Sequence, residues 1–156
     1  MHGAQTLIIP LLQAFFWFDD GLQAYLQARG WTEVTRPESM VMASVVVGIH
    51  KPSEIARNLG VTRQSIHATI NQMVARGMLA LVTDPHDGRS KLVVLSELGQ
   101  NMRADADSAI GDLVAELRRR IGARNVENLI KAFSADWGAS PVAEAQALAK
   151  NVRKPG

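Results

Sequence analysis

Cysteine is absent from the sequence, which excludes a disulfide framework, a thiolate metal site and a thiol redox switch. That composition is compatible with the cytoplasm, where the chain is expected. A strong charge of one sign is also missing, since 17 basic and 15 acidic side chains leave only +2. No apolar run reaches the roughly 20 residues that span a bilayer. Residues 7–18 come nearest, but no Lys or Arg precedes them, Pro10 and Gln13 break them, and they end at Asp19-Asp20 without a small-residue cleavage site. They are expected to be neither signal peptide nor membrane anchor. Nucleophile elbow, P-loop and dinucleotide fingerprint are lacking too, so no catalytic residue and no cofactor is expected. Asp84, His86 and Asp87 lie close enough to suggest a metal site, yet Pro85 and Gly88 beside them make a turn the simpler reading. Asp19 with Asp20, and Asp105 with Asp107, point in different directions along a helix and read as solvated rather than paired.

What is present is concentrated in residues 51–95. Ile55, Ala56 and Leu59 fall at helical spacing, and Gly60 stands where a helix exits through a left-handed residue. Thr62 is a good N-cap for a second helix over 63–76, since its hydroxyl can accept a free backbone N–H. On that helix Ile66, Ile70, Met73 and Val74 share one arc, while Gln64, Ser65, Ala68, Asn71 and Gln72 occupy the other. The Leu59-Gly60-Val61 turn lets the two helices cross steeply, which presents the second to a DNA major groove. Thr62 and Arg63 open it, Gln64 can address adenine bidentately, and Ser65 can donate or accept. An ordinary solvated helix face is the competing reading of that arc. Residues 79–83 and 91–95 are short β-prone runs expected to pair as a hairpin across a loop over 84–90 that carries Arg89. An arginine there suits a minor groove rich in A·T. Over 51–91 six basic side chains face three acidic ones, so the positive balance sits on this module.

The order helix-turn-helix, then a loop reading Asp84-Pro85-x-Asp87-x-Arg89, then Leu95-Ser96-x-x-Gly99 opening a long helix, resembles the MarR family of multiple antibiotic resistance regulators. The resemblance is strongest over residues 51–100. It implies that Arg89 enters the minor groove and that Asp87 braces it. It departs at Ala68, where many members carry a basic residue. A helix over residues 40–49, where Val45-Val46-Val47 leaves a buried strand open, also follows from the family order.

The expected architecture is mostly α with a small β-hairpin wing: one domain over 1–156, a winged helix-turn-helix at 37–95, and helical dimerisation regions at 1–30 and 96–156. The first helix is expected to start near Pro10 and exit at Gly30, and 31–36 reads as a linker before a helix started by Pro37. Ile49-His50-Lys51 is expected as a short third strand against the wing. Phe15 to Phe18, Leu22, Tyr25 and Leu26 leave the first helix little polar surface, so a partner chain is expected to cover it. A helix threaded through its own core is the alternative. The long helix over 96–120 and a last one over 125–137, with a weaker tail to 152, complete the dimer. The resemblance implies a ligand-responsive regulator, most often a repressor, that binds double-stranded DNA as a homodimer. It places a small aromatic effector near the junction, where Trp17, Trp31 and His50 are the candidate ligand residues. A winged helix that binds protein instead remains the second function class, and Ala68 leaves room for it.

Overall fold

The computed structural model describes residues 3–138, with side chains from Leu7 onward. Among them run α1 (Gly3–Ala28), α2 (Arg36–Val46), α3 (Pro52–Leu59), α4 (Arg63–Ala75), β1 (Leu79–Asp84), β2 (Asp87–Leu95), α5 (Glu97–Ile121) and α6 (Ala123–Phe133). The mostly helical class and the hairpin are as expected. The described residues divide within α5 into two compact units, one ending at Glu116 and the other beginning at Leu117.

Several boundaries differ for identifiable reasons. α1 begins well ahead of Pro10 and carries it inside, past the first turn, where its missing N–H removes one ladder bond. α2 is entered through a capping box: the Thr35 hydroxyl accepts the Glu38 N–H at 3.4 Å, and the Glu38 carboxylate accepts the Thr35 N–H at 2.8 Å. Ile49-His50-Lys51 does not form a third strand, for the described sheet has two. Instead the Val93 N–H donates to the His50 carbonyl and His50 Nδ1 donates to the Val93 carbonyl, each at 2.9 Å. The imidazole thus takes the place of a second backbone bond. Trp137 lies beyond the end of α6 and is two-thirds exposed, with its indole N–H on the Ala132 carbonyl. The helical tail expected after it falls outside the described residues.

The helix-turn-helix follows its sequence closely. α3 exits at Gly60, whose φ of 66° is left-handed, and the Thr62 hydroxyl accepts the Ser65 N–H at 3.1 Å to start α4. Val41 and Val45 of α2, Ile55 of α3, Ile66, Ile70 and Met73 of α4, and Val93 of β2 make one core, closed by Met78 and by Met102 of α5.

Gly99 shows what the last residue of the Leu95-Ser96-x-x-Gly99 pattern does. Ser96 holds the start of α5 on the preceding turn: its N–H and hydroxyl donate to the carbonyls of Met78 and Gly77, and its oxygen caps the Gly99 N–H. A β-carbon on Gly99 would lie 2.1 Å from the Met78 carbonyl oxygen. Backbone must therefore move to accept even a methyl group. Gly99→Ala is expected to destabilise the protein by about 1–3 kcal/mol through overpacking. Urea unfolding should show it, and a midpoint unchanged from the parent would refute the close approach.

The entry to α2 is tied to the end of α4. Arg76, the last-turn cap of α4, donates to the Glu38 carboxylate at 2.7 Å, and also to the Thr32 hydroxyl at 2.9 Å and the Glu33 carbonyl at 2.7 Å. Burial of Glu38 opposes its ionisation, but the Thr35 N–H and the Arg76 guanidinium outweigh that and hold its carboxyl below the usual glutamate range. A carboxyl lowered on folding stabilises the protein above its unfolded pKa, and the contribution is lost as pH falls through the folded one. Unfolding midpoints should therefore fall as pH drops below the ordinary glutamate range. Glu38→Gln is expected to remove that part of the acid dependence; an acid limb identical to the parent's would count against the network.

Candidate nucleic-acid interface

α4 divides as its sequence arcs require. Ile66, Ile70 and Met73 are buried, whereas Thr62, Arg63, Gln64, Ser65, Ala68, Asn71 and Gln72 are all exposed. The outward arc is therefore a row of short and uncharged side chains led by one arginine. His67, which neither arc of the sequence pattern includes, is exposed beside them one helical turn from Arg63 and Asn71. The Ser65 N–H is spent on the cap, but its hydroxyl keeps the donor and acceptor capacity that base edges require.

The wing turns more tightly than a seven-residue loop. Asp84 pairs with Asp87 across Pro85-His86, and the register then shifts so that Thr83 pairs with Lys91. Residues 88–90 are left unopposed on β2, and Arg89 stands in the middle of this bulge. A bulge re-aims a side chain away from the sheet. Among the described residues the Arg89 guanidinium enters no ion pair, and the residue is exposed.

Both carboxylates of the loop are engaged in shaping it. Asp84, buried, accepts the His86 N–H at 2.9 Å and lies 3.7 Å from Lys51 Nζ. Asp87 accepts the Ser90 hydroxyl at 2.6 Å and the Arg89 N–H at 3.1 Å. The Ser90 hydroxyl first, and then the Arg89 N–H, hold the Asp87 carboxyl below the usual aspartate range. Asp87 thus contacts Arg89 through its backbone rather than its guanidinium. His86, the third member of the metal-like cluster, is exposed.

The candidate ligand residues are dispersed. Trp17 packs edge-on against Phe18, ring centroids 4.9 Å apart. Trp31 donates its indole N–H to Asp105 at 2.7 Å, and Arg29 reaches the other oxygen of the same carboxylate at 2.6 Å. The Trp31 indole first, and then Arg29, keep the Asp105 carboxyl below the usual aspartate range. Asp105 is therefore a clamp rather than a solvated carboxylate. Asp19 is likewise buried and accepts from Arg36 at 2.9 Å. His50 lines an open groove of about 460 Å³ with Val94, Gln100 and Arg103.

A cavity of about 190 Å³ lies elsewhere, between α1, α2 and α5, walled by Leu22, Leu26, Val34, Met42, Met102 and Ile110. Its polar neighbours already hold one another: Gln23 donates to Ser39 at 3.0 Å, and Arg103 lies 3.7 Å from Asp107. Neither tryptophan lines it. Sequence patterning does not single out these wall residues, because a cavity and a filled core call for the same apolar side chains.

Residues 32–90 match the model of the MarR family. Among solved structures the chain is similar to wild-type MarR in its apo form from E. coli, with 24% identity, 86% of this chain and 99% of that one covered, and a TM-score of 0.65. It is similar to the transcriptional repressor CouR bound to a 23-mer DNA duplex, at 20% identity over 86% of this chain and 94% of that one, with a TM-score of 0.64. For PcaV from Streptomyces coelicolor, a transcriptional regulator in complex with its natural ligand, the values are 20%, 85%, 89% and 0.58. At these identities the structural likeness is one of fold.

Proposed function

We propose that the chain is a transcriptional regulator of the MarR type, whose family model residues 32–90 match, and that it is a repressor that binds a near-palindromic operator as a homodimer and is released by a small molecule. The observation that carries this reading is the division of α4. Its apolar arc is buried, while Arg63, Gln64, Ser65, Asn71 and Gln72 face outward beside a bulged wing whose arginine is free of ion pairs among the described residues. The fold shared with a repressor bound to duplex DNA supports it. Two such heads related by a twofold axis meet successive major grooves about 34 Å apart.

Selection of bound sequences from a random duplex pool tests the proposal. A near-palindrome should emerge, and its affinity should fall steeply with added salt as phosphate contacts exchange for counterions. A pool that enriches no sequence would overturn it. That outcome, with Ala68 at the centre of the exposed arc, would favour the protein-binding reading.

For the small aromatic effector that the resemblance implies, the cavity chemistry favours a neutral apolar molecule over an aromatic acid. No charged side chain there lacks a partner to offer a carboxylate, and the volume somewhat exceeds the roughly 150 Å³ that holds benzene in an engineered cavity. Such a ligand releases DNA only if it binds the DNA-free form more tightly. Naphthalene is expected to bind and lower DNA affinity, while benzoate at the same concentration does neither. The opposite order in a binding titration would restore the acid.

A further inference from the structure

We propose that residues 29–35 are a strap fastening the recognition helix α4 to α5, and that Arg76 is a positioning residue for DNA reading. The inference rests on the DNA-binding proposal and adds what sets the pose of the reading head. At one end of the strap Trp31 and Arg29 share the two oxygens of Asp105 on α5, and Arg29 reaches Ser108 at 3.4 Å. At the other, Arg76 closes α4 and binds Thr32, Glu33 and Glu38. The two fastenings use different residues of α5 and α4, with only this short segment between them.

Its interior is fixed as well. The Trp31 N–H donates to the Leu26 carbonyl at 3.0 Å, Val34 is buried in the core, and Thr35 caps α2. Val34 also forms part of the wall of the apolar cavity. A molecule in that cavity therefore presses on the same segment that holds the end of α4. Arg76 itself lies at the C-terminal end of α4, away from the N-terminal residues that enter a major groove.

The geometry makes a specific demand on two distant variants. Arg76→Lys keeps the charge but loses the fork that spans three acceptors. Asp105→Asn weakens the fastening on α5 and removes an acidic charge, which on general electrostatic grounds tightens DNA binding. A loss of affinity in Asp105→Asn is thus opposite in sign to the charge effect.

The test measures affinity of the full chain for its own selected duplex over a salt series, with thermal unfolding as a control for folding. Each variant is expected to bind about three- to tenfold more weakly, with the salt slope of the parent, because neither residue touches phosphate. The double variant should lose less than the product of the two single losses, as a strap already loose at one end transmits little from the other. Thr32→Val, which leaves every charge in place, should shift affinity the same way and serves if Arg76→Lys does not fold.

Parental affinity in Asp105→Asn, independent multiplication of the two losses, or a slope reduced by about one in Arg76→Gln, which removes the charge, would each overturn the strap. The last would make Arg76 a phosphate contact. A parent that enriches no duplex sinks DNA reading itself and the strap with it. A parent that binds while the variants behave identically to it sinks the strap alone.

Discussion

The double substitution Ile8→Asp and Leu12→Asp is expected to turn the proposed homodimer into a folded monomer and to lower affinity for the selected duplex by at least about a hundredfold, the gain that two linked heads ordinarily supply. The first turns of α1 leave Leu7, Ile8, Ile9 and Leu12 more than half exposed in the single chain. Exposed leucines taken singly mean little, but a contiguous apolar patch on a soluble protein marks an interface. α6 repeats the pattern in its own unit, with Leu129, Ile130 and Phe133 all more than two-fifths exposed. Because Ile8 and Leu12 are exposed in the chain by itself and line none of the cavities described, charging them should cost the monomer little. Sedimentation at micromolar concentration checks the state of parent and variant. A parent that sediments as a monomer would remove the dimer and the twofold operator together.

Legibility followed the range of the interactions. The helix-turn-helix could be read because its determinants are local: Gly60 supplies the left-handed exit and Thr62 the cap, each acting within one turn. The Thr35-x-x-Glu38 box is equally local, and its spacing is a recognised helix start beside the Pro37 signal. Gly99 shows the limit of pattern reading. The motif named the position, but only the structure shows that the Met78 carbonyl takes the space.

Long-range pairing was not legible at all. Asp105 and Asp19 read as solvated carboxylates because their partners, Trp31 and Arg29 for one and Arg36 for the other, are separated from them in sequence. Trp31 accordingly acts as a clamp on Asp105. Composition marks 84–90 as a hairpin loop but not its register shift, which depends on which residues pair across the hairpin. The shift matters to the proposed function because it leaves Arg89 in the unopposed bulge.

Arg89→Ala is accordingly expected to weaken binding to the selected duplex by about 10- to 100-fold at moderate salt, roughly 1–3 kcal/mol. Two contributions combine. A guanidinium in a narrow minor groove gains from the deep negative potential there, and each phosphate neutralised adds about 0.9 to the salt slope. The slope should therefore fall in Arg89→Ala, unlike in Arg76→Lys. Gln64→Ala should differ in kind, relaxing the preference at one base position in each half-site while leaving the slope unchanged. Asp87→Ala removes the acceptor that holds the Arg89 N–H and the Ser90 hydroxyl. It should weaken binding in the same direction as Arg89→Ala but by less, because the guanidinium survives and only its mounting is loosened. Selection repeated with each variant, followed by titration of the parental duplex over a salt series, separates the three. Should Arg89→Ala bind as tightly as the parent, the wing does not touch DNA. Base reading would then rest on α4 alone, where Ala68 leaves the centre of the exposed arc without a hydrogen-bonding side chain.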